Sequence, residues 1–128
     1  MPREISAGAV IFRWNNVGPE FLLLHYELGH WEFAKGHVEK GEHERETVQR
    51  EVAEETGITD ITFVEGFREQ IKYYFRWRGK SIFKVVVFHL VRTTAKEVKL
   101  SDEHIGYEWL AYDEAMRRLK FKNSKQVL

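Results

Sequence analysis

The sequence predicts an α+β domain: a mixed β-sheet with helices packed on it. Three observations lead there. Strand-like segments come in pairs separated by turn clusters. One long run of helix formers, Glu44 to Thr56, interrupts them. Ile82 to Val91 is apolar on both faces except at Lys84 and His89, as in a central strand covered on both sides. The order strands, helix, strands, helix then suggests layers around one core.

Ile5 to Phe12 is rich in Ile, Val and Phe and reads as the first strand. Asn15 to Pro19 is a turn cluster, and Phe21 to Tyr26 the returning strand. Gly29 to Gly41 holds three glycines between its first and last position besides little periodicity, and reads as a loop. Gly57 supplies the stop for the Glu44–Thr56 helix. Ile61 to Trp77 reads as a long strand with Phe67, Ile71, Tyr73, Phe75 and Trp77 on one face. Gly79-Lys80 marks a second hairpin turn. Tyr107 to Leu110 reads as a short strand, Asp113 as the cap of a helix through about Leu119, and Lys122 to Leu128 as a short final helix.

The 128 residues read as one domain, 1–128, large enough to bury a core. With 20 basic and 20 acidic side chains the formal net charge is +0, so no broad field exists for nucleic acid or an anionic membrane, and neither partner is expected. There is no cysteine, which excludes disulfides and thiolate metal sites and fits a cytoplasmic location. The apolar stretch Ala7 to Phe12 is too short for a signal-peptide core.

Chemistry concentrates around the long helix. At ~100° per residue, Glu51, Glu54 and Glu55 fall within an arc of about 100° on one face. Three crowded carboxylates repel one another unless a divalent cation sits among them, and magnesium prefers such oxygen donors. Glu42 precedes Arg50 by eight residues, so an ion pair between them would pin the preceding loop to the helix. Val48 and Val52, at i and i+4, supply the buried stripe. Lys35, beside Gly36, is within reach of a phosphate. Three glutamates alone fit an ordinary solvated acidic helix; the whole string does not. From Gly36 to Ile58, nine fixed positions over 23 residues match one pattern: Gly36, Glu42, Arg50, Glu51, Val52, Glu54, Glu55, Gly57 and Ile58.

This segment resembles the Nudix box, and the chain is identified as similar to the Nudix hydrolases. Ala7 to Phe12 resembles the family's first strand, and Trp31 to Glu39 its approach to the box. Glu65-Gly66-Phe67, Tyr73, Lys80, Leu100 to His104, Tyr107 to Leu110 and Phe121-Lys122 resemble the asymmetrical diadenosine tetraphosphate hydrolases within it. Ala34 stands where the family usually has proline, which loosens φ there.

The resemblance implies an α/β/α sandwich around a mixed sheet. It implies magnesium, replaceable by manganese, bound by Glu51, Glu54 and Glu55 with the Gly36 carbonyl and Glu103. Glu51, Glu54, Glu55 and Glu103 would be the catalytic set, with Glu51 and Glu103 both candidate general bases; Glu42, Arg50 and Gly57 would hold the box together. A small-molecule nucleotide would be the partner, and diadenosine tetraphosphate would give ATP and AMP. His30, Lys35, Tyr73, Lys80 and Phe121 would bind it. Tyr73 reads equally as a core residue, Phe121 as a helix anchor and Lys80 as a solvated turn lysine. His25 and His89 read as structural, and the four tryptophans as packing residues. The alternatives are a nucleoside triphosphate pyrophosphohydrolase, an RNA 5′-pyrophosphohydrolase and, in another class, a nucleotide-sensing module; the intact Glu51, Glu54 and Glu55 argue against the last.

Overall fold

The structure, a computed structural model, describes residues 3–128; the first two residues of the expected 1–128 domain lie outside the described residues. The strands are β1 (Arg3–Trp14), β2 (Pro19–Tyr26), β3 (Trp31–Glu32), β4 (Ala34–His37), β5 (Ile61–Trp77), β6 (Lys80–Thr93) and β7 (His104–Ala111). The helices are α1 (Glu44–Thr56), α2 (Tyr112–Arg118) and α3 (Lys122–Val127). None is long and apolar enough to cross a membrane.

β1 is the hub of one mixed sheet. Its parallel partner β6 runs beside it from Arg3↔Phe83 to Phe12↔Arg92. Its other edge is shared: β4 pairs antiparallel with Ser6 to Ala9, and β2 with Phe12 to Trp14. β5 extends the sheet beyond β6, and β7 beyond β2. The period of two sorts apolar side chains into two cores. Ala7, Ala9, Ile11, Leu22 and Leu24 meet Val48, Val52 and Ile58 on the α1 side. Val10, Leu23, Val86 and Phe88 meet Ala115, Leu119 and Val127 on the α2 and α3 side. This is the expected α/β/α sandwich. Val48 and Val52 are fully buried, each contributing roughly 1.5–3 kcal/mol relative to exposure.

α1 begins where the His43 amide donates to Glu46 Oε1 at 2.9 Å. It ends at Gly57, whose φ of 74° is left-handed and whose N–H bonds the Ala53 carbonyl at 2.9 Å. After α1, residues 95–103 return to its C-terminal end. There the Lys99 amide bonds the Thr56 carbonyl at 2.8 Å and the Ser101 amide bonds the Glu55 carbonyl at 3.3 Å. These two bonds set Glu103 and His104 against the helix.

Several expectations are corrected. The predicted loop 29–41 contains β3 and β4, because its backbone groups pair with strands distant in sequence, a signal no local pattern carries. Ala111, not Asp113, stands at the N-cap of α2; Asp113 lies in the first turn, where its charge still favours the helix N-terminus. β5 has the predicted bounds but its register slips between Phe63 and Arg68, and Trp77 at its end is exposed. The tryptophans do not all pack: Trp14 and Trp77 each remain 55% exposed.

Candidate active site

α1 presents its three glutamates to three environments. Glu55 is buried beneath the returning loop; Glu51 is partly covered by β4; Glu54 stands in solvent. The shared helical arc is real, but burial divides it. Arg50 ties the region together. Its Nε donates to Glu42 Oε2 at 2.8 Å and its Nη2 to Glu42 Oε1 at 3.1 Å. Nη2 also donates to the His37 carbonyl at 3.0 Å, while Nη1 reaches Glu51 at 3.1 Å and Glu54 at 3.4 Å. The guanidinium therefore fastens the 37–42 segment to the helix, and its proximity holds the Glu42 carboxyl down to about 2.

Opposite, β4 brings Gly36 against α1. A Cβ on Gly36 would fall inside the Glu51 carboxylate. The bare backbone is what lets the carboxylate lie there.

The innermost part of the site is an acidic cluster with one imidazole. Glu55, Glu103 and His104 each offer a ligand atom, all within 4.8 Å of one another. His104 Nε2 lies 3.5 Å from Glu55 Oε1. Both Glu55 oxygens and His104 Nε2 are buried without a hydrogen-bond partner. Burial, followed by Glu51 and then Glu103, pushes the Glu55 carboxyl up to about 9. Burial lowers His104. Unpaired carboxylate oxygens crowded by further carboxylates fit a hard divalent cation, which would complete their coordination and relieve their repulsion. Glu51, Glu55 and Glu103 supply that oxygen set, with Glu54 at its solvent edge.

A run of aromatic rings leads away from the cluster. His104 meets Tyr26 edge-on at 4.4 Å, Tyr26 stacks on His30 at 4.8 Å, and His30 meets Phe121 edge-on at 5.6 Å. The run ends in a cleft of 320 Å³ between β3–β4, β5 and α3. His30, Lys35, Tyr73 and Phe121 all line it, beside Glu32 and Ser124. Burial lowers the Lys35 ammonium and raises the Tyr73 phenol. Tyr73 also packs against the α3-side core, so it borders core and cleft at once. Lys80 is elsewhere: it opens β6 opposite Trp77 at the exposed hairpin end and does not line the cleft.

Four residues of this region carried no role in the sequence reading. His104 lay within the Leu100–His104 resemblance. Tyr26 read as a strand end. Glu32 and Ser124 gave no signal beyond their polarity.

The NUDIX domain model matches residues 2–128. The chain belongs to the NUDIX family. The asymmetrical bis(5′-nucleosyl)-tetraphosphatase of Mus musculus is 39% identical over 96% of this chain and 89% of its own length. That of Sus scrofa is 41% identical with the same coverage. The solved binary complex of the C. elegans Ap4A hydrolase superposes with a TM-score of 0.79 at 29% identity, covering 97% of this chain and 91% of that one. The E. coli dihydroneopterin triphosphate pyrophosphohydrolase, at 18% identity and a TM-score of 0.81 over 99% and 94% of the two chains, shares the fold. The protein is thus a Nudix hydrolase with the family's mixed-sheet α+β architecture. Nudix hydrolases generally use a divalent metal, and the acidic cluster is its candidate seat here.

Proposed function

We propose that this Nudix hydrolase, as one domain over 1–128, cleaves diadenosine tetraphosphate asymmetrically to ATP and AMP, with magnesium as its ion and manganese able to replace it. The observation that carries the reading is the continuity of acidic cluster, aromatic run and cleft. The similarity to the asymmetrical tetraphosphatases supports the same substrate.

In the reaction a water oxygen forms a bond to one phosphorus, the bond from that phosphorus to its bridging oxygen breaks, and a nucleotide leaves. The bound ion supplies positive charge to the phosphate oxygens. The water's proton goes to a carboxylate. Glu51 and Glu103 are the candidate bases; Arg50 already engages Glu51 at 3.1 Å, which leaves Glu103 the freer acceptor. Tyr73 and Phe121 stack a base, Lys35 and His30 face the phosphates, and anchoring one end fixes which phosphorus is attacked. Lys80, if it acts, does so only on the far end of an extended substrate.

Hydrolysis in oxygen-18 water with products read by mass spectrometry tests this. ATP plus AMP, with label in one product and no activity in excess EDTA, is expected. Two ADP, or rapid hydrolysis of single nucleoside triphosphates with the dinucleotide untouched, overturns it.

A further inference from the structure

Within the nucleotide cleft one side chain has the wrong sign for a polyphosphate. Glu32 in β3 is 4% exposed and lines the cleft. Its Oε1 accepts the Phe33 N–H at 3.2 Å and its Oε2 accepts the Ser124 hydroxyl at 2.5 Å. Among the described residues no Lys, Arg or His makes an ion pair with it. A carboxylate has about four acceptor sites, and two protein bonds leave the rest unfilled. Burying a charge in that condition is costly unless a partner supplies donors. Phosphate cannot be that partner, because it would add a second anion. The wall beside Glu32 therefore suits a part of the nucleotide that is neutral and carries N–H groups.

The rest of the lining says which part. The rings of Tyr73 and Phe121 and the side chain of Ile71 form apolar walls. Flat apolar walls with an acceptor edge fit a nucleobase. The bases differ in what they offer a carboxylate. Guanine has N1–H and N2–H side by side, two parallel donors for two oxygens, a charge-assisted fork. Adenine offers one exocyclic amine flanked by ring nitrogens whose lone pairs repel a carboxylate. Uracil and cytosine each offer a single donor site beside a carbonyl or ring acceptor. Asn123, in the same lining, carries an amide N–H₂ able to donate to guanine O6.

We propose that Glu32 is a specificity-determining residue: its carboxylate reads the N–H donors of a base held between Tyr73 and Phe121, and it gives the cleft a preference for guanine over adenine. This rests on the reading that the cleft holds a nucleoside of the substrate. It deepens that reading by naming the base.

Two further substitutions separate base reading from support of α3. Glu32→Gln keeps the shape but replaces one acceptor by a donor, an edge that matches adenine rather than guanine. Ser124→Ala removes the bond from α3 and leaves the carboxylate. GMP, IMP and AMP are titrated calorimetrically into wild type and both variants, with melting curves for each. Alongside, kcat/KM is measured for diguanosine and diadenosine tetraphosphate. Wild type is expected to bind GMP about ten-fold or more tighter than AMP, with the same ratio appearing in KM. Glu32→Gln should erase or reverse that ratio with little change in kcat, and Ser124→Ala should keep it. Equal GMP and AMP affinities in wild type overturn the proposal, as does an unchanged ratio in Glu32→Gln. Equal loss of preference in both variants overturns it too, since Glu32 then acts only through α3. Should Glu32→Gln not fold, wild type alone decides: IMP lacks the N2 amine and must bind clearly more weakly than GMP, and equal binding overturns the proposal. If neither dinucleotide is cleaved, the substrate reading falls while the GMP-to-AMP ratio still decides the role of Glu32.

Discussion

Gly36 is glycine for want of space. Its φ is not among the positive values of the chain, so an alanine there meets no backbone penalty; it meets the Glu51 carboxylate. Gly36→Ala should therefore leave the strand pairing Ala7↔Gly36 in place and push Glu51 aside. Displacing one carboxylate from the cluster should weaken Mn²⁺ binding by about 10–100-fold, the range seen when a ligand loses its positioning. The measurement is Mn²⁺ titration followed by electron paramagnetic resonance, with circular dichroism as a check on folding. An unchanged affinity in a folded variant would mean that Glu51 takes no part in holding the ion. The same residue scale explains what the sequence could show. Gly36, Glu51 and Glu55 were legible because the box fixes their identities and spacing. Their unequal burial was not, since it depends on β4 and on residues 99–104 arriving from elsewhere.

At the scale of elements, α1 is held at its N-terminal end by carboxylates that the fold keeps ionised. Glu42 is held at about 2, first by its hydrogen bond from Arg50, against 4.5 when free. Glu44 is lowered by Arg68, and Asp60 by the hydroxyls of Thr94 and Thr93. A lowered folded value means that the unfolded chain takes up protons first as pH falls. The stabilisation from Glu42 is thus complete above about 4.5 and is lost progressively toward about 2. Glu42→Gln should flatten the dependence of unfolding free energy on pH within that window and lower stability at neutral pH. Urea unfolding at steps between pH 2 and 7 checks this; equal slopes in wild type and variant would count against it. The elements themselves were unevenly legible. α1 and β5 have the predicted bounds because helix formers closed by Gly57, and alternation through Tyr73 and Phe75, are local signals. β3 and β4 were missed because two and four residues with few branched side chains become strands only by pairing with β2 and β1.

Across the whole molecule the sandwich places the two halves of the site in different layers. The acidic cluster belongs to α1 and the returning loop, whereas Tyr73, Phe121 and Ser124 of the cleft belong to β5 and the α3 side. That is why the first half was readable as one contiguous motif and the second came only as scattered candidates. Glu32 was invisible because a lone acid between Trp31 and Phe33 reads as a solvent-facing strand position. The division also predicts that ion binding and base binding separate by mutation. Phe121 is 48% exposed, so Phe121→Ala sacrifices little core. It removes one stacking surface, worth about 1–3 kcal/mol, or roughly 5–150-fold in nucleotide affinity. AMP should bind Phe121→Ala more weakly by a factor in that range while Mn²⁺ affinity stays at the wild-type value. Glu55→Gln should do the reverse, because it removes an ion ligand and leaves the cleft lining intact. The only physical link between the halves is the ring contact chain His104–Tyr26–His30–Phe121. If Phe121→Ala lowers Mn²⁺ affinity as much as AMP affinity, that chain transmits the loss and the layers are not independent. Additivity in the double variant, read from the same two titrations, measures the coupling directly.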